Sequence, residues 1–425
     1  TSTTLTGSGD LSITTSATYA GSKNRLTSVT DATGATVNYG YKDKIHQMLG
    51  LASSVTDPAG TKTNYVYNEL GRMTETRIAN TAKVKYTYGS GDLEKVERTD
   101  IPTQKTQTYY FEYDAFGNME SAKVGTRLLA SYDYFTGNGQ LEKLTYGNGD
   151  YVNYTYDDLG RLRGTADSEG NANSYTYNGE GQLWRTTAGT WSKEYTYDSL
   201  GRLNDTTVLN GETKKLRLQN KYNEDNQLVS QVRELPDKTL EFNYTYDSNG
   251  RLTKYYPGTG SDIVLTYDEL SRVGSIKART HKGTYSYEGD ADGGATTNRI
   301  SQLAYTKTSS GTNFEALTYT YTYDERGNIT EIADPISGTR HYEYDALGQM
   351  VEEKIGDTVY SYEYDNAGNL TSYCGNALQY TDGDWKDMVT SYRTWTHYHD
   401  EMGIPTSYYN GTRWNFQWNG RRLTQ

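Results

Sequence analysis

The side chains whose types and spacing could do chemistry gather toward the C-terminal end. His397 and His399 are two residues apart, so on a strand they share a face and could offer two imidazole nitrogens to a metal ion, with Asp400 or Glu401 beside them. His46, His281 and His341 stand alone in sequence. Asp290-Ala291-Asp292-Gly293 has the opening of a calcium loop, but the acidic residue that such a loop needs at its twelfth position is here Ser301. Asp382-Gly383-Asp384 is an even shorter match. Cys374 is the only cysteine, which excludes an internal disulfide and a cysteine metal cluster, and no histidine stands near it as a catalytic partner. Trp385, Trp395, Trp414 and Trp418, four of the six tryptophans, could stack on sugars or peptides or form a bulky end to the packing. Nucleophile-elbow, Walker and dinucleotide-binding glycine motifs are not found.

Most acidic candidates dissolve into a pattern. Aspartate recurs once per unit in Tyr-x-Tyr-Asp/Asn-x-x-Gly-Arg/Asn/Gln-Leu/Met/Ile. Full copies run from Tyr65 and Tyr67 to Gly71, Tyr154 and Tyr156 to Gly160, Tyr175 and Tyr177 to Gly181, and Tyr195 and Tyr197 to Gly201. Four more run from Tyr244 and Tyr246 to Gly250, Tyr321 and Tyr323 to Gly327, Tyr342 and Tyr344 to Gly348, and Tyr362 and Tyr364 to Gly368. The second tyrosines mostly follow one another at 20–25 residues, with one gap of 36 between Tyr287 and Tyr323 where the Gly289–Gly294 insert lies. After Tyr364 the repeat decays. His397-Tyr398-His399-Asp400 puts histidine in both tyrosine slots, which is the packing alternative to a metal pair. A carboxylate repeated in every unit is a structural feature, because glycosidase chemistry needs one pair at one set separation.

Each unit encodes a hairpin. Tyr-x-Tyr places two rings on one face of a strand. Asp opens a turn, Gly takes its left-handed corner, and the aliphatic residue after it returns to the apolar face. Asp31–Gly34, Asp57–Gly60, Asp167–Gly170 and Asn210-Gly211 mark a second turn midway through the unit. About 28 strands in fourteen units, at about 4.8 Å each, make a ribbon about 135 Å long, too wide to stay flat. The expected fold is all-β: antiparallel hairpin repeats in one continuous coiled sheet. A closed propeller, with four-stranded blades of about 40–45 residues, is the rival. One domain spans 1–425, with the best repeats in 19–373 and degenerate ones in 374–425.

Composition agrees and excludes. The 43 tyrosines dwarf 6 Phe and 6 Trp, so any core is built from rings whose hydroxyls need water or a partner. A net charge of −12 without a basic block argues against nucleic acid as a partner. No apolar stretch approaches a membrane span and no signal peptide is visible.

These motifs resemble those of the YD-repeat, or Rhs-repeat, family, whose signature YDxxGRL is matched by Tyr156–Leu162, Tyr197–Leu203 and Tyr246–Leu252 and in degenerate form over about 19–423. The family includes bacterial Rhs and wall-associated polymorphic toxins, shell subunits of insecticidal Tc toxins, and teneurin adhesion receptors. The resemblance implies a spiral sheet forming a hollow shell, secretion or surface display, and a C-terminal effector or the rest of the shell as partner. The teneurin branch implies adhesion to glycans or cell-surface partners as the alternative. The segment resembling RYYDPxxGRFxxxDPxG that ends such bacterial shells is missing, and the chain stops in mid-pattern at Arg421–Gln425, which reads as a piece of a longer protein. The sequence therefore predicts a non-enzymatic module with no catalytic residue, no metal site and no cofactor.

Overall fold

In a computed structural model of the chain, described over residues 1–7, 11–21, 24–42, 44–289, 295–309, 312–313, 317–419 and 421–423, a single sheet of 39 strands runs from Ser2–Thr6 to Arg413–Asn415. A separate pair, Trp418–Asn419 and Arg422–Leu423, follows it. Neighbours in sequence pair antiparallel, as in Tyr151–Tyr156 with Leu162–Asp167 and that strand with Ala172–Tyr177. The sheet is open along its whole length, so the meander expected from the repeats holds and the propeller does not. Strands also occupy both ends beyond the full motifs, at Ser2–Gly40 and Asn376–Leu423. The insert at 290–294, and with it the Asp290–Gly293 calcium candidate, lies outside the described residues.

The local reason for each hairpin is visible at Tyr154–Thr165. The Asp157 carbonyl accepts from the Gly160 amide at 2.9 Å, and the Asp157 carboxylate accepts from the amides of Leu159 and Arg161 at 3.0 and 2.9 Å. Gly160 has φ +77°, the left-handed corner that closes a three-residue loop. A bulge follows, so that Thr155 faces Gly164 while Tyr156 faces Leu162. It sharpens the twist of the strand pair at every motif, which makes a wide sheet coil rather than lie flat.

One helix, Lys44–Leu49, interrupts the series. It stands between Tyr39-Gly40-Tyr41 and Gly50-Leu51-Ala52, where the other units have their short motif turn, and the His46 ring lies 5.6 Å from that of Tyr67.

The coiled ribbon returns to itself. Turns midway through early units meet motif turns of much later ones. Arg326 Nε donates to Asp57 at 2.8 Å, and the Thr61 hydroxyl donates to the Ala346 carbonyl at 2.7 Å. The Asn366 amide donates to Asp100, the Thr126 amide and hydroxyl to Asp384, and the Asn419 side chain to Asp167 and Glu169. A parallel bridge joins Ser12 to Ala295. The bonded pairs are separated by 250 to 285 residues, so one coil is stacked on the next along a seam. Burial is thin elsewhere, as a one-layer sheet requires. Among the described residues the largest side chains fully out of solvent are Val124 and Asp100, and Asp100 lies in the seam.

Candidate functional site: the tyrosine ladder and the seam

Two networks run through the sheet. The first answers what so many tyrosine hydroxyls bond to. From Tyr67 to Tyr344, each second tyrosine of the thirteen successive units donates its hydroxyl to a backbone carbonyl of the preceding unit, at 2.7–3.0 Å. The acceptor is the residue two places after the motif glycine or after Asn226, Ser271 or Asn298 in its place, as in Tyr156 to Leu141, Tyr177 to Leu162 and Tyr197 to Leu183. Tyr41 does the same to Leu26, although its motif is split by the helix. The ring thus fills the apolar face while its polar tip couples one hairpin to the one before. Burial raises the phenol pKa at Tyr67, Tyr197, Tyr246, Tyr323, Tyr344 and Tyr364, so the neutral donor form is favoured.

The first tyrosines pack ring against ring with the return strands. Tyr244 stacks on Tyr255 at 5.2 Å, and Tyr362 lies 5.2 Å from Tyr373. Tyr65, Tyr154, Tyr175, Tyr195, Tyr321 and Tyr342 are half-buried at the equivalent position of their strands.

Sequence reasoning missed the arginine after the motif glycine. Arg161 is paired to Asp157 at 2.7 Å and its guanidinium lies 4.4 Å from the ring centre of Tyr177 in the next unit. Arg202 with Asp198 and Tyr222, and Arg251 with Asp247 and Tyr267, repeat the arrangement. The signal was there, in the Gly-Arg of the motif. The bond from Arg161 holds the Asp157 carboxyl below the usual range. These aspartates are ionised and bonded on both oxygens, which suits a fixed turn and not proton transfer.

The seam is the second network, and no motif announces it. Asp100 is 2 % exposed. Burial opposes its ionisation, but hydrogen bonds from Thr103 and Asn366 outweigh that and keep its carboxyl below the usual range. Asp384 is held low chiefly by the Thr126 amide. Beside it Arg127 pairs with Asp382 at 2.7 Å and Glu401 at 3.5 Å. Asp382 and Asp384, weighed as calcium ligands, therefore bind the neighbouring coil. Trp385 also lies here, packed against Gly403.

The remaining candidates disperse. Trp395 meets Tyr392 edge-on at 5.7 Å, Trp418 donates its indole N–H to the Pro405 carbonyl at 2.7 Å, and Trp414 stacks on Tyr408 at 6.2 Å. Of the four, Trp414 alone is largely exposed. His397 and His399 occupy the two tyrosine slots, with a bulge at His399 as at each second tyrosine, and His397 stacks on Tyr408 at 6.1 Å. Burial, and then His397, lowers the pKa of His399, which favours a neutral ring. His341 faces Glu331 at 3.2 Å. Among the described residues no cluster of three or more His, Cys, Asp or Glu is placed to hold a metal ion, and no helix is long and apolar enough to cross a membrane.

Known proteins share the motif and the fold. The RHS Repeat family model matches residues 48–83 and 323–357. The tRNA3(Ser)-specific nuclease WapA of Bacillus spizizenii is 27% identical over a 174-residue alignment covering 34% of this chain and 7% of that protein. The tRNA nuclease WapA of Bacillus subtilis is 28% identical over the same length, again 7% of its own. In structure, the chain resembles a TcdB2-TccC3-TEV crystal structure with a TM-score of 0.64 at 14% identity, covering 96% of this chain and 25% of that one. It also resembles a Photorhabdus luminescens Tc holotoxin pore, with a TM-score of 0.55 at 13% identity over 93% of this chain and 26% of that one. The chain thus spans about a quarter of the Tc chains and a small part of the WapA proteins. Motif and family match agree where the model falls: residues 48–83 and 323–357 are RHS repeats, and the open antiparallel β-spiral that carries them is similar in fold to those larger chains.

Proposed function

We propose that this chain is a non-catalytic wall segment of a secreted or surface-displayed bacterial protein, and that the wall encloses a C-terminal effector domain. The observation that carries the reading is the seam. A ribbon that bonds to itself one coil later walls off the space about its axis. Roughly 23 strands separate the Asp57 turn from the Arg326 turn, which at about 4.8 Å per strand gives a circumference of about 110 Å and a width of about 35 Å. After side chains on the inner face are allowed for, that space suits a small or partly unfolded domain. The WapA relatives are named as tRNA nucleases, which makes a nuclease a candidate cargo. Half-buried tyrosine faces offer such a cargo a wall that is neither purely apolar nor charged.

The test is limited proteolysis, read by mass spectrometry, of this chain joined to its native downstream continuation. Protection of the downstream part is expected, together with its loss when the seam is opened by Arg127→Ala and Asp100→Ala. Equal digestion with the seam intact or opened would overturn enclosure. Surface binding would then lead, because Trp184, Trp191 and Trp414 are exposed on the sheet, and a glycan array would follow.

A further inference from the structure

The strand Trp395–His399 carries histidine in both tyrosine slots, and it leads directly into a turn that closes the seam. In the unit before it the Tyr380 hydroxyl makes the ladder bond, to the Leu370 carbonyl, and in the unit after it the Trp418 indole makes one to the Pro405 carbonyl. His399 holds the same slot and makes no ladder bond. Its half-buried ring lies 6.5 Å from that of His397, which stacks on Tyr408. The strand joins its predecessor through only two residue pairs, Ser391 with Thr396 and Tyr392 with Trp395. The seam supplies its other hold on the coil.

Those seam contacts surround His399. Arg127 of the earlier coil, largely buried, pairs with Asp382 at 2.7 Å and reaches Glu401 and the Asp400 carbonyl at 3.5 Å. The Asn148 side chain donates to the Asp400 carboxylate at 3.4 Å, and Met402 is 7 % exposed. Acids that would welcome a proton on the imidazole are already engaged. Asp382 holds Arg127, Asp384 holds Thr126, and the Asp400 carboxylate accepts from the amides of Met402 and Ile404 at 2.9 Å. Glu401 is exposed and turned to Arg127. Burial first, then His397, outweigh Asp400 and Asp382 and keep the His399 ring neutral. A proton on that ring puts a cation beside Arg127. The ring then gains by turning out to water, and the Asp400–Gly403 turn begins at the very next residue.

We propose that His397 and His399 form an acid-sensitive latch: in mild acid the Asp400–Gly403 turn leaves Arg127, and the seam opens at this one place. The contact between Asp100 and Asn366 stays closed there, because the Asp100 carboxyl takes up a proton only in stronger acid. The latch does not depend on what the wall encloses, and its failure would leave enclosure untouched.

Hydrogen exchange of the chain at about pH 7.5 and about pH 5.5, corrected for intrinsic rates, tests this. Protection of the Thr126, Met402 and Ile404 amides should fall about fivefold in acid, while that of the Asn366 amide holds. The loss should vanish in His397→Tyr with His399→Tyr, which restores the residues these slots hold in other units. It should vanish equally in His397→Phe with His399→Phe, whose rings take no proton. Either pair that keeps the circular-dichroism spectrum of the parent is enough. Equal protection of the parent at the two pH values would overturn the proposal. So would a loss of the same size in the variants, or one shared by Asn366.

Discussion

From Tyr154 to Asn210 the molecule repeats one pattern of bonds, while along the seam from Thr99 to Arg127 no two contacts are alike. In the first region, each unit has a turn closed by Asp157, Asn178 or Asp198, the positive-φ glycine and the tyrosine hydroxyl reaching back one hairpin. In the second, a buried carboxylate meets Asn366, a glutamine meets the backbone around Asp384, and Arg127 meets two acids. The fixed positions of the motif therefore specify how a hairpin follows a hairpin, while its variable positions and residues outside it specify how a coil lies on a coil. Local contacts can be repeated because their geometry recurs every unit. Seam contacts join points in different phases of the coil and must be chosen one by one.

The sharpest way to break this comparison is to put one charge at the same motif position in both settings. Leu270→Asp buries a carboxylate beside Glu269, which packs against Gly7, and should cost about 3 kcal/mol or more. Leu200→Asp, at the bare tip, should change stability by no more than about 0.5 kcal/mol in the dilute monomer. Chemical denaturation of both variants checks this, and equal losses would mean that the seam does not exist in solution.

A second pair separates local from long-range damage. Gly201 has φ +78°, and a β-branched side chain there is strained by about 2 kcal/mol. Gly201→Val should raise hydrogen exchange in the one hairpin around Tyr197–Leu203. Asp100→Ala should cost about 1–3 kcal/mol by stranding the Asn366 donors. Its exchange increase should show at two places, near 100 and near 366. A single focus for Asp100→Ala would sink the stacking of these coils.

Much of the hairpin network was legible because its residues are special for physical reasons. Tyr-x-Tyr reports a shared strand face, and Asp-x-x-Gly reports a turn that few other residues close. The destination of the hydroxyl was not legible, since Leu141 or Leu162 accepts through its backbone and its side chain gives no sign of it. The role of Arg161 was written in the motif and overlooked, because its ring partner lies in the next unit. Asp100, Arg127 and Asn366 could not have been found at all. Asp100 and Arg127 stand beside turns of ordinary composition and Asn366 at a variable position of the motif turn, and nothing in the chain announces which turns the coil brings together. Asp382-Gly383-Asp384 shows the trap: two carboxylates that suggest a cation in sequence are bound to Arg127 and Thr126.

Tyr177→Phe probes the hairpin side with a smaller change. It removes one hydroxyl and leaves the ring and the Arg161 contact, so about 1 kcal/mol is expected from the unmet Leu162 carbonyl. A neutral result in thermal denaturation would mean that water serves that carbonyl as well as the phenol does.

The two networks should also part company with pH. Asp100 and Asp384 have folded-state pKa values below those of an unfolded aspartate, about 3.9. Their contribution is complete above that value and is lost as pH falls through the folded one. Tyrosines such as Tyr197 and Tyr246 are shifted the other way. Their neutral donors contribute fully below the unfolded value of about 10 and fail as pH rises through the folded one. Stability should therefore be level between about pH 7 and 9, decline below about 6.5 as neutral His399 is lost, and fall further at both extremes for different reasons. Hydrogen exchange below about pH 4 should rise at the Asp100–Asn366 and Thr126–Asp384 contacts and at the turn amides held by Asp157, Asp198 and Asp247, while strand amides away from the turns stay protected by ladder bonds that no carboxylate makes. Spectroscopic titration above pH 10 should instead find phenol ionisation and loss of the hairpins together. Acid that opened hairpins and seam at one midpoint would show that the coils fold as one unit, and that stacking contributes to every hairpin rather than only joining finished ones.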